Sequence, residues 1–140
     1  MYKQYIDIEQ KKFWEESWKN FTVKELMTGL ENTDLWKILK KYLPKNGRIL
    51  EGGCGLGHWV KFLSDKGYDI IGIDYVEDVI KQAKNEFNDL KIFVGNVLKT
   101  DFPDNYFDSY ISLGVIEHFE NDAVLLLNEA KRILKQVENY

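Results

Sequence analysis

Ile49-Leu50-Glu51-Gly52-Gly53-Cys54-Gly55-Leu56-Gly57 decides the fold of this chain. Arg48 to Glu51 reads as a short strand, and it feeds directly into glycines at alternate positions. Glycines so placed let the backbone turn sharply and come close to a ligand with no Cβ in the way. The helix that follows then offers its first N–H groups to that ligand. A dinucleotide-binding turn would need G-x-G-x-x-G. Counted from Gly53 its last position falls on His58, and counted from Gly55 it falls on Val60, so neither frame fits. What stands is E-x-G-x-G-x-G from Glu51 to Gly57.

Working outward, strand and helix patterns alternate. His58 to Ser64 predicts a helix that Gly67 ends, and Tyr68 to Ile73 predicts the second strand. Val76, Val79, Ile80, Ala83 and Phe87 then recur at i, i+3, i+4 spacing, the mark of an amphipathic helix. Lys91 to Val94 and Phe107 to Leu113 predict the third and fourth strands. A last helix runs from about Asn121, with Ala123, Leu126, Leu127, Ala130, Ile133, Leu134 and Val137 facing inward. Strands separated by helices imply right-handed crossovers and a parallel sheet covered on both faces. The fold class is therefore α/β, a Rossmann-like doubly wound sheet. Ligands of such sheets sit at the carboxyl ends of the strands.

Upstream, residues 1–46 predict a helical segment, and residues 47–140 the core of the same single domain. The segment is dense in aromatics (Tyr2, Tyr5, Phe13, Trp14, Trp18, Phe21), which read as core before they read as a ligand cover. Asp34 is the expected N-cap of a helix carrying Leu35, Ile38, Leu39 and Tyr42 on one face. Pro44 and Gly47 stop that helix.

Composition narrows the function. The chain has 140 residues, 44% hydrophobic, which suits one domain with a real core. A formal net charge of -4 disfavours a phosphate-binding face, so nucleic acid is not the expected partner. Cys54 is the single cysteine, which rules out an internal disulfide and a zinc cluster built from thiolates, and no metal is expected. No run approaches the roughly 18 apolar residues that span a bilayer. A soluble, cytoplasmic protein without a membrane partner is expected.

The pattern from Glu51 to Gly57 resembles the first motif of class I S-adenosylmethionine-dependent methyltransferases, in particular their type 11-like domain. The resemblance covers roughly Arg48 to the end of the chain. It implies an enzyme that moves a methyl group from S-adenosylmethionine to an acceptor, and the acidic balance points to a small molecule. Asp74 follows Gly57 by seventeen residues and stands where the family accepts hydrogen bonds from both ribose hydroxyls. Asn96 ends the third strand where the family usually has an acid for the adenine amino group. Ser112 to Phe119 resembles the segment that borders cofactor and substrate, with His118 as the one candidate general base. The cofactor-binding set implied is Glu51, Gly52, Gly53, Cys54, Gly55, Gly57, Asp74, Tyr75, Asn96, Val97 and Leu113.

Plainer roles stand beside these. Asp74 is also a natural cap for the next helix, Asn96 a natural turn residue, and Glu51 a natural acceptor for loop amides. His118 reads equally as a surface residue. Cys54 has no base within reach of its sequence neighbourhood except His58, so a nucleophilic role is not expected. Similar methyltransferases have seven strands, whereas about four are legible here. A Pro-Gly-Gly turn and a fifth strand would follow the last helix, but Leu134 to Tyr140 supplies neither. Either a C-terminally truncated product is expected, or a fourth strand whose apolar edge is covered by a partner or by swapping in a homodimer or larger species. Two alternatives remain open: an inactive S-adenosylmethionine-binding module that lacks the substrate half, and, less favoured, an NAD-dependent oxidoreductase.

Overall fold

Alternation of apolar residues along the first strand sends Ile49 to one side of the sheet and Leu50 to the other, and two separate cores form around them. The computed structural model describes residues 12–13, 15–113 and 122–136. Strands β1 (Arg48–Gly52), β2 (Asp69–Asp74), β3 (Ile92–Val94) and β4 (Ser109–Ser112) form one sheet in the order β3-β2-β1-β4. Every pairing is parallel, with Gly52 level with Ile73 on one side and with Ser112 on the other. The expected α/β architecture is therefore present.

Helices α1 (Val23–Met27), α2 (Asp34–Tyr42), α3 (His58–Asp65) and α4 (Glu77–Glu86) cover the face that holds Ile49, Ile70 and Ile111. Helix α5 (Ala123–Ile133) covers the opposite face, where Leu126 and Ile133 pack on Leu50, Ile73 and Phe107. The pattern Val76, Val79, Ile80 and Ala83 is buried as its spacing requires.

Three local expectations are corrected. Thr33, not Asp34, caps α2: its backbone is extended and its hydroxyl accepts from the Trp36 N–H. Asp34 instead opens the first turn, where its charge suits the helix dipole. The buried side of α2 is set by Trp36, which packs edge-on against Phe62 at 5.1 Å between ring centroids. Ile38 and Tyr42 are left 54% and 72% exposed. Leu127 of α5, expected inside, is 57% exposed because the helix turns Glu129 inward instead. Val137 lies outside the described residues.

The fourth strand is shorter than expected and sits at the end of the sheet. Its approach is not bare. The chain leaving α5 runs parallel to Phe107, through a bridge between Phe107 and Leu134. Phe107 donates its N–H to the Ile133 carbonyl at 2.9 Å, and Lys135 donates to the Phe107 carbonyl at 2.8 Å. Asp108 ties this corner to β1 by accepting from the Arg48 N–H at 2.8 Å. No helix among the described residues is long and apolar enough to cross a membrane.

Candidate functional site

β1 and β2 end side by side, and the chain between Gly52 and α3 folds down over the end of β2. Gly53 and Cys54 both donate their N–H groups to the Ile73 carbonyl, at 2.8 and 2.9 Å. Gly55 donates to Asp74 Oδ2 at 3.0 Å. Gly57 donates to the Cys54 carbonyl at 2.9 Å and opens α3 with φ +75°. Gly53 and Gly55 have φ +72° and +57°, so all three alternating glycines occupy the left-handed region that a side chain disfavours. The amides of Gly53, Cys54, Gly55 and Gly57 are thus spent on shaping the loop rather than on facing a ligand.

Asp74 does two jobs at once. Its Oδ2 anchors the loop, and its Oδ1 accepts from the Val76 N–H at 3.0 Å at the entrance of α4. Each oxygen still has a lone pair. Burial raises its carboxyl above the usual range, and the bonds from Val76 and Gly55 pull it back only in part.

Around this loop the buried charged groups among the described residues are acidic. Glu51 is 3% exposed and Asp74 8%. Glu51 Oε1 is buried without a hydrogen-bond partner. Burial first, and the nearby Asp74 second, push its carboxyl well above the usual range. Among the described residues no lysine or arginine forms an ion pair with either acid. Cys54 is a free, buried thiol driven up by burial and then by Glu51 and Asp74, so it stays protonated and is no nucleophile. His58 Nδ1 is buried without a partner, and burial lowers that imidazole to about 4, leaving it neutral near pH 7.

The N-terminal segment lies on the loop. A Cβ added to Gly55 would stand 2.7 Å from Trp18 Cζ2, and the Trp18 ring lies 6.1 Å from that of His58. Helix α4 fastens this segment. Gln82 donates Nε2 to the carbonyls of Trp18 and Phe21, and the Glu86 carboxylate accepts from the N–H groups of Val23 and Lys24 at 2.6 and 2.9 Å. A cavity of about 380 Å³ opens between residues 15–19 and α4, lined by Glu15, Glu16, Lys19, Asp78, Val79 and Gln82. It includes none of the predicted cofactor residues.

Residues 50–137 match the family model described as a methyltransferase domain. The chain belongs to that family. A probable S-adenosylmethionine-dependent methyltransferase of Mycolicibacterium smegmatis is 30% identical over 87 residues, 62% of this chain and 34% of that protein. Phosphoethanolamine N-methyltransferase 1 of Arabidopsis thaliana is 29% identical over 139 residues, covering 91% of this chain and 28% of that one. The crystal structure of a protein from Pyrococcus horikoshii superposes with a TM-score of 0.71 at 30% identity, over 86% of this chain and 61% of that one. The chain thus spans about a third of the length of the curated relatives it matches.

For a methyltransferase domain, the expected cofactor residues fall into three groups. Glu51, Gly52, Gly53, Cys54, Gly55, Gly57 and Asp74 are brought together at the ends of β1 and β2. Tyr75 follows directly and packs part-buried on the core, while Leu113 sits part-buried at the end of β4. Asn96 is exposed and its Oδ1 accepts from the Leu98 N–H at 2.9 Å, so the turn-forming role is present and one lone pair remains. Val97 is buried beneath Gly52. His118 lies outside the described residues.

Sequence reasoning missed Tyr110. A Cβ at Gly52 would collide with Tyr110 Oη, which is why the loop begins with two glycines rather than one. Tyr110 Oη and Ser112 Oγ are buried without hydrogen-bond partners, and burial with the Glu129 charge lifts the phenol to about 12. The strand pattern gave a usable hint, because Tyr110 and Ser112 lie two apart and so share a face. Trp18 gave none, since its contact with Gly55 spans 37 residues.

Proposed function

We propose that the protein transfers a methyl group from S-adenosylmethionine to a small-molecule acceptor. The observation that carries this reading is the glycine loop drawn onto β2 by Asp74, with Glu51 buried beside it and Oε1 lacking a partner. An orphaned buried carboxyl oxygen next to a loop of alternating glycines fits a polar, cationic nucleotide. When bound, S-adenosylmethionine supplies an activated methyl group on a sulfonium. Asp74 would accept from its hydroxyls with the lone pairs left on Oδ1 and Oδ2, and Asn96 Oδ1 from its amino group. Tyr75, Val97 and Leu113 supply apolar walls. Trp18 would exclude water above Gly55, and in methyl transfer the protein's main work is such exclusion and alignment. His118 is proposed as the base where the acceptor must lose a proton. His118→Ala would then lower turnover and leave cofactor affinity intact.

A small acceptor is supported by the acidic net charge and by the relative named for phosphoethanolamine. Calorimetric titration with S-adenosylmethionine, S-adenosylhomocysteine and NAD tests the cofactor site. Binding of the two sulfur nucleotides, at least tenfold weaker in Asp74→Ala and absent for NAD, supports the reading. Absence of binding to either sulfur nucleotide refutes it.

We also propose a cytoplasmic homodimer. The free Cys54 thiol suits a reducing compartment, and the terminal place of β4 in the sheet of the described residues suits pairing of its outer edge with a second copy. A purely monomeric sedimentation profile at micromolar concentration would refute the dimer.

A further inference from the structure

We infer that Glu51 makes the loop site selective for a cationic ligand and that binding releases a proton from its carboxyl group to solvent. The inference deepens the cofactor reading and rests on it.

Glu51 has no charge-compensating neighbour among the described residues. Its register neighbours in the sheet are Gly72 on β2 and Ile111 on β4, neither of which carries a charge. From β2 it meets the field of Asp74, which is like-signed. The loop contributes Cys54, a protonated thiol in the field of Glu51, and the helix that follows the loop opens with His58, a neutral imidazole. The N-terminal segment contributes Trp18, which is uncharged. Two acids are therefore buried at adjacent strand ends with no cation paired to them among the described residues, and Oε1 of one has no hydrogen bond there.

Such an arrangement is costly in the ligand-free protein, where a proton on Glu51 relieves the cost. Contrast Asp74, whose two oxygens are occupied by the Gly55 and Val76 amides. The unsatisfied charge of the site is concentrated on Glu51. A ligand that brings a positive group within a few ångströms favours the carboxylate, so the O–H bond of Glu51 breaks and the proton leaves to buffer. The ligand's cation takes the place of that proton. A neutral ligand gains nothing from Glu51 and leaves the proton where it is.

Titration calorimetry at pH 7 in phosphate and in imidazole buffer reads the proton directly, because the two buffers differ in ionisation enthalpy. S-adenosylhomocysteine carries an ammonium group, and adenosine carries no cation. For the first, the apparent heat is expected to differ between buffers by up to one proton's worth. Its Kd is expected to fall with rising pH by up to about tenfold per unit. Adenosine is expected to bind with the same heat in both buffers. Glu51→Gln should abolish the buffer difference and flatten the pH dependence. A buffer-independent heat for S-adenosylhomocysteine, an equal release with adenosine, or undiminished release in Glu51→Gln would each overturn the inference. Should that variant not fold, the two wild-type ligands decide alone. Failure of S-adenosylhomocysteine to bind overturns it too, and melting of the ligand-free protein then tells which premise fell. If Glu51→Gln melts higher than wild type at pH 8 but not at pH 5, the buried acid stands and the cofactor reading has failed. Equal melting at both means that the acid was never uncompensated.

Discussion

Two glutamates, one on each side of the sheet, occupy similarly buried positions and behave in opposite ways. Glu129 of α5 is 9% exposed and fully served. Its Oε2 accepts from the N–H and the hydroxyl of Thr100, both at 2.7 Å, and from Arg132 Nη2, while Oε1 accepts from Arg132 Nε. Arg132 in turn reaches Asp104 at 2.8 Å. The bond from Arg132, followed by those from Thr100, outweighs burial and holds the Glu129 carboxyl down at about 2. Glu51 is buried still deeper, at 3% exposed, with none of these donors on Oε1 and a carboxyl pushed up. A served buried acid fastens a fold, whereas an unserved one marks where the fold expects something from outside.

The largest expected effect tests the served side. Glu129→Ala leaves the Thr100 amide and hydroxyl without an acceptor and removes the carboxylate from Arg132, a loss of about 3 kcal/mol in urea unfolding. Because the folded carboxyl titrates at about 2 against an ordinary 4.5, its stabilising contribution is complete above 4.5 and fades as pH falls toward 2. Wild type should therefore lose stability in acid more steeply than the variant. An identical acid profile for both would break the contrast.

Next comes the contact that shapes the loop. Gly52→Ala drives a methyl group into Tyr110 Oη and should cost about 2 kcal/mol. Adding Tyr110→Phe should recover only part of that loss, because the ring carbon Cζ would still stand 2.8 Å from the new methyl group. Tyr110→Phe alone should stay within about 0.5 kcal/mol of wild type in thermal melts, since the hydroxyl it removes has no partner.

Glu51→Gln should change stability in the opposite sense to Glu129→Ala. The raised folded-state carboxyl means that its favourable contribution is present below about 4.5 and is lost as pH rises through the raised value. The ligand-free variant should therefore gain on wild type between pH 5 and 8, reaching about 1 kcal/mol. Destabilisation at pH 8 would erase the difference between the two faces.

The smallest effect concerns the strap. Glu86→Ala removes the carboxylate that caps Val23 and Lys24 and should cost about 0.5–1 kcal/mol. Faster hydrogen exchange at those two amides, with the amides of β1 and β2 unchanged, would confirm that Glu86 fastens only the segment under Trp18.

Much of the sheet was legible because parallel strands buried on both faces must be short apolar runs, and β1 and β2 are such runs bounded by glycine or charge. The glycine loop was legible because positive φ at alternate positions leaves glycine as the only easy choice. Asn96 illustrates a residue for which two roles fit the sequence equally. The structure supplies one of them, the bond to the Leu98 amide, and leaves a lone pair for the other. The face of α2 was misread because Ile38 and Tyr42 have the right spacing but Trp36 has the larger area to bury, and Phe62 and Tyr68, distant along the chain, line its slot.

Sequence by itself determined the order of elements, the parallel sheet, the turn at Gly53 to Gly57 and the acid at the end of β2. These follow from local rules of periodicity and backbone sterics, which act over a few residues. Tertiary structure alone decided that Trp18 lies on Gly55, that Tyr110 claims the space above Gly52, and that Glu129 is served while Glu51 is not. A carboxylate's charge state depends on the donors and the dielectric within a few ångströms, and those are supplied by residues that are distant along the chain.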